Sequence, residues 1–425
     1  MVPCWGTATH AWPTSCATPT RSASLTSRIP ARATALSSSA ILTEHISAWF
    51  DASLDAGQFL SLFNLTRAEA ARVHDLRCHD GGERGPRGAE QMTARKTVRR
   101  PFRVLAQFGT MANLELVTAA DVELMQGLAQ RVTATRPDLI SAGASYGELA
   151  WIWGQGQAVY RATWPRRFWY SDGDLVAWAW VFLPRQVRRN DGSVSDVTGA
   201  ELAYQVHPDH AGLVEDVIDW YDETAAGLER TAIPCAGDEF ALRRWTAHGY
   251  QTNLDALADD GDWTQLNERD LIDVEQPALP DGFRFRIADE VGPQAVVQAH
   301  VDAWAPSSYT AEAYEGVRQT AAYRGDLHVL VEAPDGTMAA STIMWFDEVN
   351  SSAEFEPVGT HPGYRRLGLA RAMMLHGMHR ARAAGATHMT VVCQGAPGRP
   401  GPRALYYDLG FRELSRDAPL IKTAG

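Results

Sequence analysis

The chain runs through the same order of elements twice, and this repetition constrains its fold more than any other feature. Val206-His207-Pro208 matches Thr360-His361-Pro362, in both places at the end of a strand-like run that leads into a helical one. Further along, the nine residues from Leu242 to Tyr250 align without gaps to those from Arg403 to Phe411, and both runs close on a glycine followed by an aromatic residue. Two anchors in the same order point to an internal duplication.

The pattern between the anchors is that of an α/β protein. In the first half, 120–135 reads as a helix, with Leu124, Leu128 and Val132 at helical spacing. Strands are expected at 168–170 and 175–183, joined through Asp172-Gly173, and at 200–206, with helices at 212–226 and 241–248. The second half gives a strand at 283–287, helices at 293–304 and 311–320, and strands at 327–332 and 338–345 joined through Pro334-Asp335-Gly336. A strand at 354–360, a long helix at 369–384, a strand at 389–392 and a helix at 402–409 complete it.

A chain of 425 residues exceeds one ordinary core. Residues 1–110 are expected to be a largely disordered tail or linker, apart from one amphipathic helix at 41–63. Patterned sequence begins near Met111, which leaves open whether the tail belongs to the native protein. Two domains are then expected at 111–255 and 279–425, with an acidic, irregular linker at 256–278 between them.

Charge follows this division. The tail carries 13 Lys+Arg against 8 Asp+Glu, whereas residues 111–425 carry 26 against 43. An acidic body disfavours nucleic acid as a partner and favours cationic small molecules or basic peptides. The five cysteines, Cys4, Cys16, Cys78, Cys235 and Cys393, show no paired metal spacing, so neither zinc nor a disulfide framework is expected. No run approaches the ~20 apolar residues of a membrane helix, and no leader pattern opens the chain. A cytoplasmic protein with no membrane partner is expected, and a homodimer is compatible with the sequence.

The run from Val358 to Ala370 is the most informative for chemistry. It is a strand feeding a glycine-containing loop and then an apolar helix, a composition that builds a phosphate cradle. The helix N-terminus offers backbone N–H groups and partial positive charge, Gly368 lets the backbone approach a ligand, and Arg365 and Arg366 add charge. Upstream, Glu354 and Glu356 are two residues apart on a strand and so project from one face. Either could remove a proton from an ammonium, and either could equally hold that ammonium or remain a solvated carboxylate.

These residues resemble the GNAT superfamily of N-acetyltransferases. Its pyrophosphate loop, Arg/Gln-x-x-Gly-x-Gly/Ala, is matched by Arg365-x-x-Gly368-x-Ala370, and its closing Leu-Tyr-x-x-Leu-Gly-Phe by Leu405-Tyr406-Tyr407-Asp408-Leu409-Gly410-Phe411. The resemblance implies two tandem GNAT-like domains, each a mixed sheet with flanking helices. It also implies acetyl-CoA as co-substrate, held by Val358, Gly359, Thr360, Arg365, Arg366, Leu367, Gly368, Leu369 and Ala370. By the same resemblance Tyr406 is the acid that protonates the departing thiolate, Glu354 or Glu356 is the base, and backbone N–H groups at 358–360 polarise the thioester. Tyr407, about 100° around the helix, is expected to be packing.

The first half departs from this pattern. Its loop after His207-Pro208 reaches Gly212 two residues too soon and has no arginine, and Trp245 stands where Tyr406 does. An indole N–H donates a hydrogen bond but does not transfer its proton at ordinary pH, so a degenerate domain packing against an active one is expected. The leading expectation is acetyl transfer to a primary amine of a small, cationic metabolite or antibiotic. Acetylation of protein lysines or N-termini and non-catalytic acyl-CoA binding are the alternatives; the sequence does not identify the acceptor.

Overall fold

Residues 117–160 and 164–425 are described by a computed structural model. The tail expectations, including the helix at 41–63, lie outside the described residues, as do 111–116. Helix α1 (Ala119–Thr135) starts at a reciprocal cap. The Thr118 hydroxyl accepts from the Asp121 N–H at 3.3 Å while the Asp121 carboxylate accepts from the Thr118 N–H at 2.8 Å.

Helix α2 (Tyr146–Tyr160) follows. It was not expected from sequence, because residues 147–156 are buried on every side and so show no polar face at helical spacing. Strands β1 (Arg166–Ser171) and β2 (Asp174–Phe182) then meet through Asp172-Gly173, whose φ values of 52° and 94° suit a two-residue turn. Eight of the nine residues of β2 are buried, as befits a strand covered on both faces.

A small hairpin, β3 (Arg185–Arg188) with β4 (Val194–Val197), precedes β5 (Ala200–Val206), α3 (Val214–Thr224), β6 (Arg230–Ala232), α4 (Glu239–Ala247), β7 (Gln251–Thr252) and β8 (Thr264–Asp270). The second half runs β9 (Arg284–Ile287), α5 (Pro293–Ala303), α6 (Ala311–Arg318), β10 (His328–Glu332), β11 (Met338–Asp347), β12 (Ser352–Thr360) and α7 (Leu369–Ala384). It closes with β13 (His388–Gln394), α8 (Gly401–Asp408), β14 (Arg412–Arg416) and β15 (Leu420–Lys422). The duplicated order is therefore a duplicated fold: mixed sheets with flanking helices, twice.

The halves exchange strands. One sheet has the order β1-β2-β5-β6-β15-β7 and the other β14-β8-β13-β12-β11-β10-β9. Strand β8, which precedes the second half, sits between β13 and β14, antiparallel to β13 from His388↔Asp270 to Gln394↔Thr264. Strand β15, the last of the second half, sits between β6 and β7 of the first.

The connection expected over 256–278 is thereby corrected: 264–270 is an internal strand. Its sequence, TQLNERD, offers only Leu266 as an apolar residue, so no alternation marks it. Its burial is polar instead, with Asn267 Nδ2 donating to the Val391 carbonyl at 3.1 Å. The second expected domain, 279–425, is likewise corrected, since it lacks this strand and gives β15 away.

One buried cluster spans both halves, holding Trp151, Trp178 and Trp180 of the first with Val317, Leu330 and Trp345 of the second. Separate clusters lie on the outer side of each sheet. Within the shared layer α2 packs on α6, and Gly154 permits the close approach, because a Cβ there would lie 2.7 Å from the Val317 Cα.

The exchange makes the halves interdependent. Fragments 117–255 and 279–425, produced separately, should show no cooperative thermal transition by far-UV circular dichroism, whereas the full chain should unfold in one. A cooperative melt of 279–425 alone would contradict the exchange.

Candidate functional site

Strands β12 and β13 pair in parallel only from Ser352↔His388 to Phe355↔Val391. Beyond that point they part. Pro357 has no N–H to give a ladder, and the register of β12 with β11 shifts between Thr342 and Met344. Residues 356–358 and 392–394 consequently border a cavity of about 640 Å³, bounded also by Tyr406 of α8, Trp304 at the end of α5, Arg366 and Glu148.

The loop after β12 is held from within. His361 Nδ1 accepts from the Gly363 N–H at 3.0 Å, and the Tyr364 hydroxyl donates to Asp335 at 2.7 Å. Arg365 donates to the carbonyls of Thr360 and Ala303, each at 3.2 Å, so its guanidinium fastens the loop to the end of α5. Burial lowers its pKa from the ordinary arginine value.

Arg366 instead lines the cavity, with φ at 67°. Gly368, at φ 78°, ends the loop and leads into α7 with no side-chain cap. The first N–H groups of a sixteen-residue helix are thus left for a ligand. No heavy atom lies within 4 Å of where a Gly368 Cβ would stand. These features fit a pyrophosphate.

The other residues expected at the cofactor divide between roles. Val358 lines the cavity. Gly359 makes room for Trp304, whose ring would lie 2.1 Å from a Cβ there. Leu369 is buried in the core, Leu367 is exposed, and Thr360 and Ala370 are half-buried.

The two candidate bases are both buried but differently engaged. Glu354 accepts from the Ser145 hydroxyl at 2.6 Å and the Gly147 N–H at 2.8 Å, capping α2 across the interface between the halves. It borders a separate cleft of about 270 Å³. Burial pushes its pKa up to about 7 against the pull of these donors. Glu356 borders the larger cavity together with Tyr406. Burial, then Cys393 and Glu356, hold the Tyr406 phenol well above its ordinary pKa, so it is protonated. Tyr407 lies outside the cavity, its hydroxyl accepting from Gln265 Nε2 at 3.0 Å.

Among the cavity residues to which the sequence reading gave no role in the site are Glu148, Trp304 and Cys393. Burial raises the Cys393 thiol to about 11, so it is no nucleophile. Glu148 is the only charge between Tyr146 and Tyr160, which is the signal that could have found it.

The first half has filled its corresponding space. Trp245 is fully buried and donates to the Tyr204 hydroxyl at 2.9 Å, with Tyr250 edge-on at 4.6 Å. Counting back from the matched His-Pro pairs, Ala200 and Leu202 stand where Glu354 and Glu356 do. Helix α3 places Glu215 and Asp216 in its first turn, where they would repel a phosphate.

The sequence model of the Acetyltransferase (GNAT) family matches residues 294–411. No curated protein matches the chain. Among solved structures, a GCN5-related N-acetyltransferase from Sphaerobacter thermophilus is 19% identical with a TM-score of 0.47, over 72% of this chain and 94% of that one. A tandem GNAT protein from the clavulanic acid biosynthesis pathway is 15% identical with a TM-score of 0.49, over 74% and 98%. In this chain the matched residues run from α5 through α8, the part of the second half that carries the cavity. Among the described residues no helix is long and apolar enough to cross a membrane.

A carboxyl whose pKa is raised by folding stabilises the fold below its unfolded value and loses that contribution as pH rises through the folded value. For Glu354 the window runs from about 4.5 to about 7. Glu354→Gln, which cannot ionise, should therefore gain in melting temperature relative to the wild type as pH rises from 5 to 8. A constant difference across that window would show that Glu354 titrates normally.

Proposed function

We propose that the chain transfers the acetyl group of acetyl-CoA to the primary amine of a small cationic acceptor, by direct attack, in the cavity of the second half. What carries this reading is one juxtaposition: the uncapped N-terminus of α7, Arg366, Glu356 and the protonated Tyr406 all converge on the gap between β12 and β13. Acetyl-CoA supplies the activated acyl group. The α7 N–H groups and Arg366 would hold its pyrophosphate, and the parted strands give its extended arm a slot.

Glu356 takes a proton from the acceptor ammonium, freeing the nitrogen lone pair to form the new C–N bond. Tyr406 gives its phenolic proton to the sulfur as the C–S bond breaks and its electron pair leaves with the sulfur, and the second proton of the now cationic nitrogen returns to the phenolate as the amide forms. Glu354, committed to capping α2, positions rather than reacts. Walls drawn from both halves support a small acceptor over a protein chain. The buried thiols of Cys235 and Cys393 suit a reducing, cytoplasmic compartment.

Calorimetry on the full chain should find one acetyl-CoA site, since the first half's counterpart is filled; two sites would overturn the assignment of a degenerate half. Arg366→Ala should weaken that binding by roughly tenfold or more through loss of a charge-assisted contact, and an unchanged dissociation constant would remove Arg366 from the site. Once an acceptor is found by screening amines for free-thiol release, Tyr406→Phe should lower turnover by about 10²-fold with acetyl-CoA affinity nearly intact. Tyr407→Phe should change little. The reverse order would reassign the acid.

A further inference from the structure

Helix α2 belongs to the first half, yet its N-terminal turn lies against the second half's site. Glu354 caps that turn through Ser145 and Gly147, and the next residue, Glu148, borders the 640 Å³ cavity beside Glu356. Glu148 is 2% exposed. Its Oε1 is buried and makes no hydrogen bond among the described residues. A carboxylate oxygen removed from water without a donor is costly to the fold. The rest of α2 is built for packing: Leu149, Ala150, Trp151 and Ile152 are buried, and Gly154 meets α6. A neutral residue at 148 would serve that packing at no such cost.

The charges around the cavity show which donor would satisfy Glu148. Arg399, also on the wall, is engaged by Asp262 at 3.3 Å and by Gln394. Arg366 stands in the loop that leads to the α7 N-terminus. Burial first, and then the neighbouring carboxyls of Glu356 and Glu354, raise the pKa of Glu148. Glu148 and Glu356 border the same cavity, and a carboxylate removed from water holds a negative charge that calls for a counterion. One cation neutralises that charge and brings N–H donors to both partners. Trp304 adds an aromatic face to the same wall, and such a face attracts cations as well as apolar groups.

We propose that Glu148, carried by the first half, selects the acceptor for the second half's site by binding its ammonium group between Glu148 and Glu356. This rests on the acetyl-transfer reading for the chemistry at Glu356 only. The first half is then no mere scaffold: it supplies a wall and a carboxyl to the second half's site. Glu148 is a specificity residue that touches the acceptor, while Glu356 alone moves the proton.

The test uses the full chain and needs no turnover. Hexylamine, phenethylamine and glucosamine are titrated calorimetrically at pH 7, each against the compound with hydroxyl in place of the amine: hexanol, 2-phenylethanol and glucose. At least one amine should bind about tenfold or more tightly than its partner. Glu148→Gln should bring that preference to within about twofold, and Glu148→Asp should keep part of it. Acetyl-CoA affinity, measured in parallel, should be unchanged in both variants. Absence of any amine preference in the wild type, or its persistence in Glu148→Gln, would overturn the proposal. So would loss of acetyl-CoA binding in both variants, because Glu148 would then be supporting the fold. A wild type that prefers amines but transfers no acetyl group would sink the transferase reading and leave this one standing.

Discussion

Each sheet is completed by a strand from the other half, and the site depends on that exchange. Strand β8 lends its backbone to β13 and β14, and β15 does the same for β6 and β7. These ladders fix the halves in register, so that α2 lies where Glu354 can cap it. Most interfaces between domains can slide; one stitched by two internal strands cannot do so without breaking backbone hydrogen bonds in both sheets. That rigidity lets a first-half side chain, Glu148, hold a fixed place beside Glu356.

The halves have kept one fold and diverged in what fills it. Where β12 and β13 part, the second half has a cavity; in the first, Tyr204, Trp245 and Tyr250 occupy the corresponding place as a hydrogen-bonded aromatic plug. The plug brings buried aromatic area to the core, and the cavity forgoes it for binding. The loops differ in the same sense. One helix starts without a cap behind a glycine at positive φ, and the other starts with two carboxylates. The first half nevertheless contributes Glu148 to the wall of the second half's cavity.

Burial governs the chemistry of the site more than pairwise contacts do. It keeps Tyr406 and Cys393 protonated and raises Glu354 and Glu148. The same low polarity that costs stability keeps a phenol protonated and raises the cost of an uncompensated carboxylate.

The sequence by itself determined the duplicated order of elements, the α/β class, and the local motif from Val358 to Ala370. All of these are written in short-range patterns, such as the Asp172-Gly173 turn and the glycine before α7. It also marked Trp245 as a departure, because the substituted residue could be read directly against Tyr406. Only the tertiary structure decided that β8 is a strand, that Arg365 fastens the loop while Arg366 faces the cavity, and that Glu354 and Glu356 have separate engagements. It alone revealed α2 and placed Glu148. The physical reason is the same in each case. A strand stabilised by its neighbours' hydrogen bonds needs no apolar alternation of its own, a helix buried on all sides loses its amphipathic period, and a side chain's partner more than 200 residues away leaves no trace in local spacing.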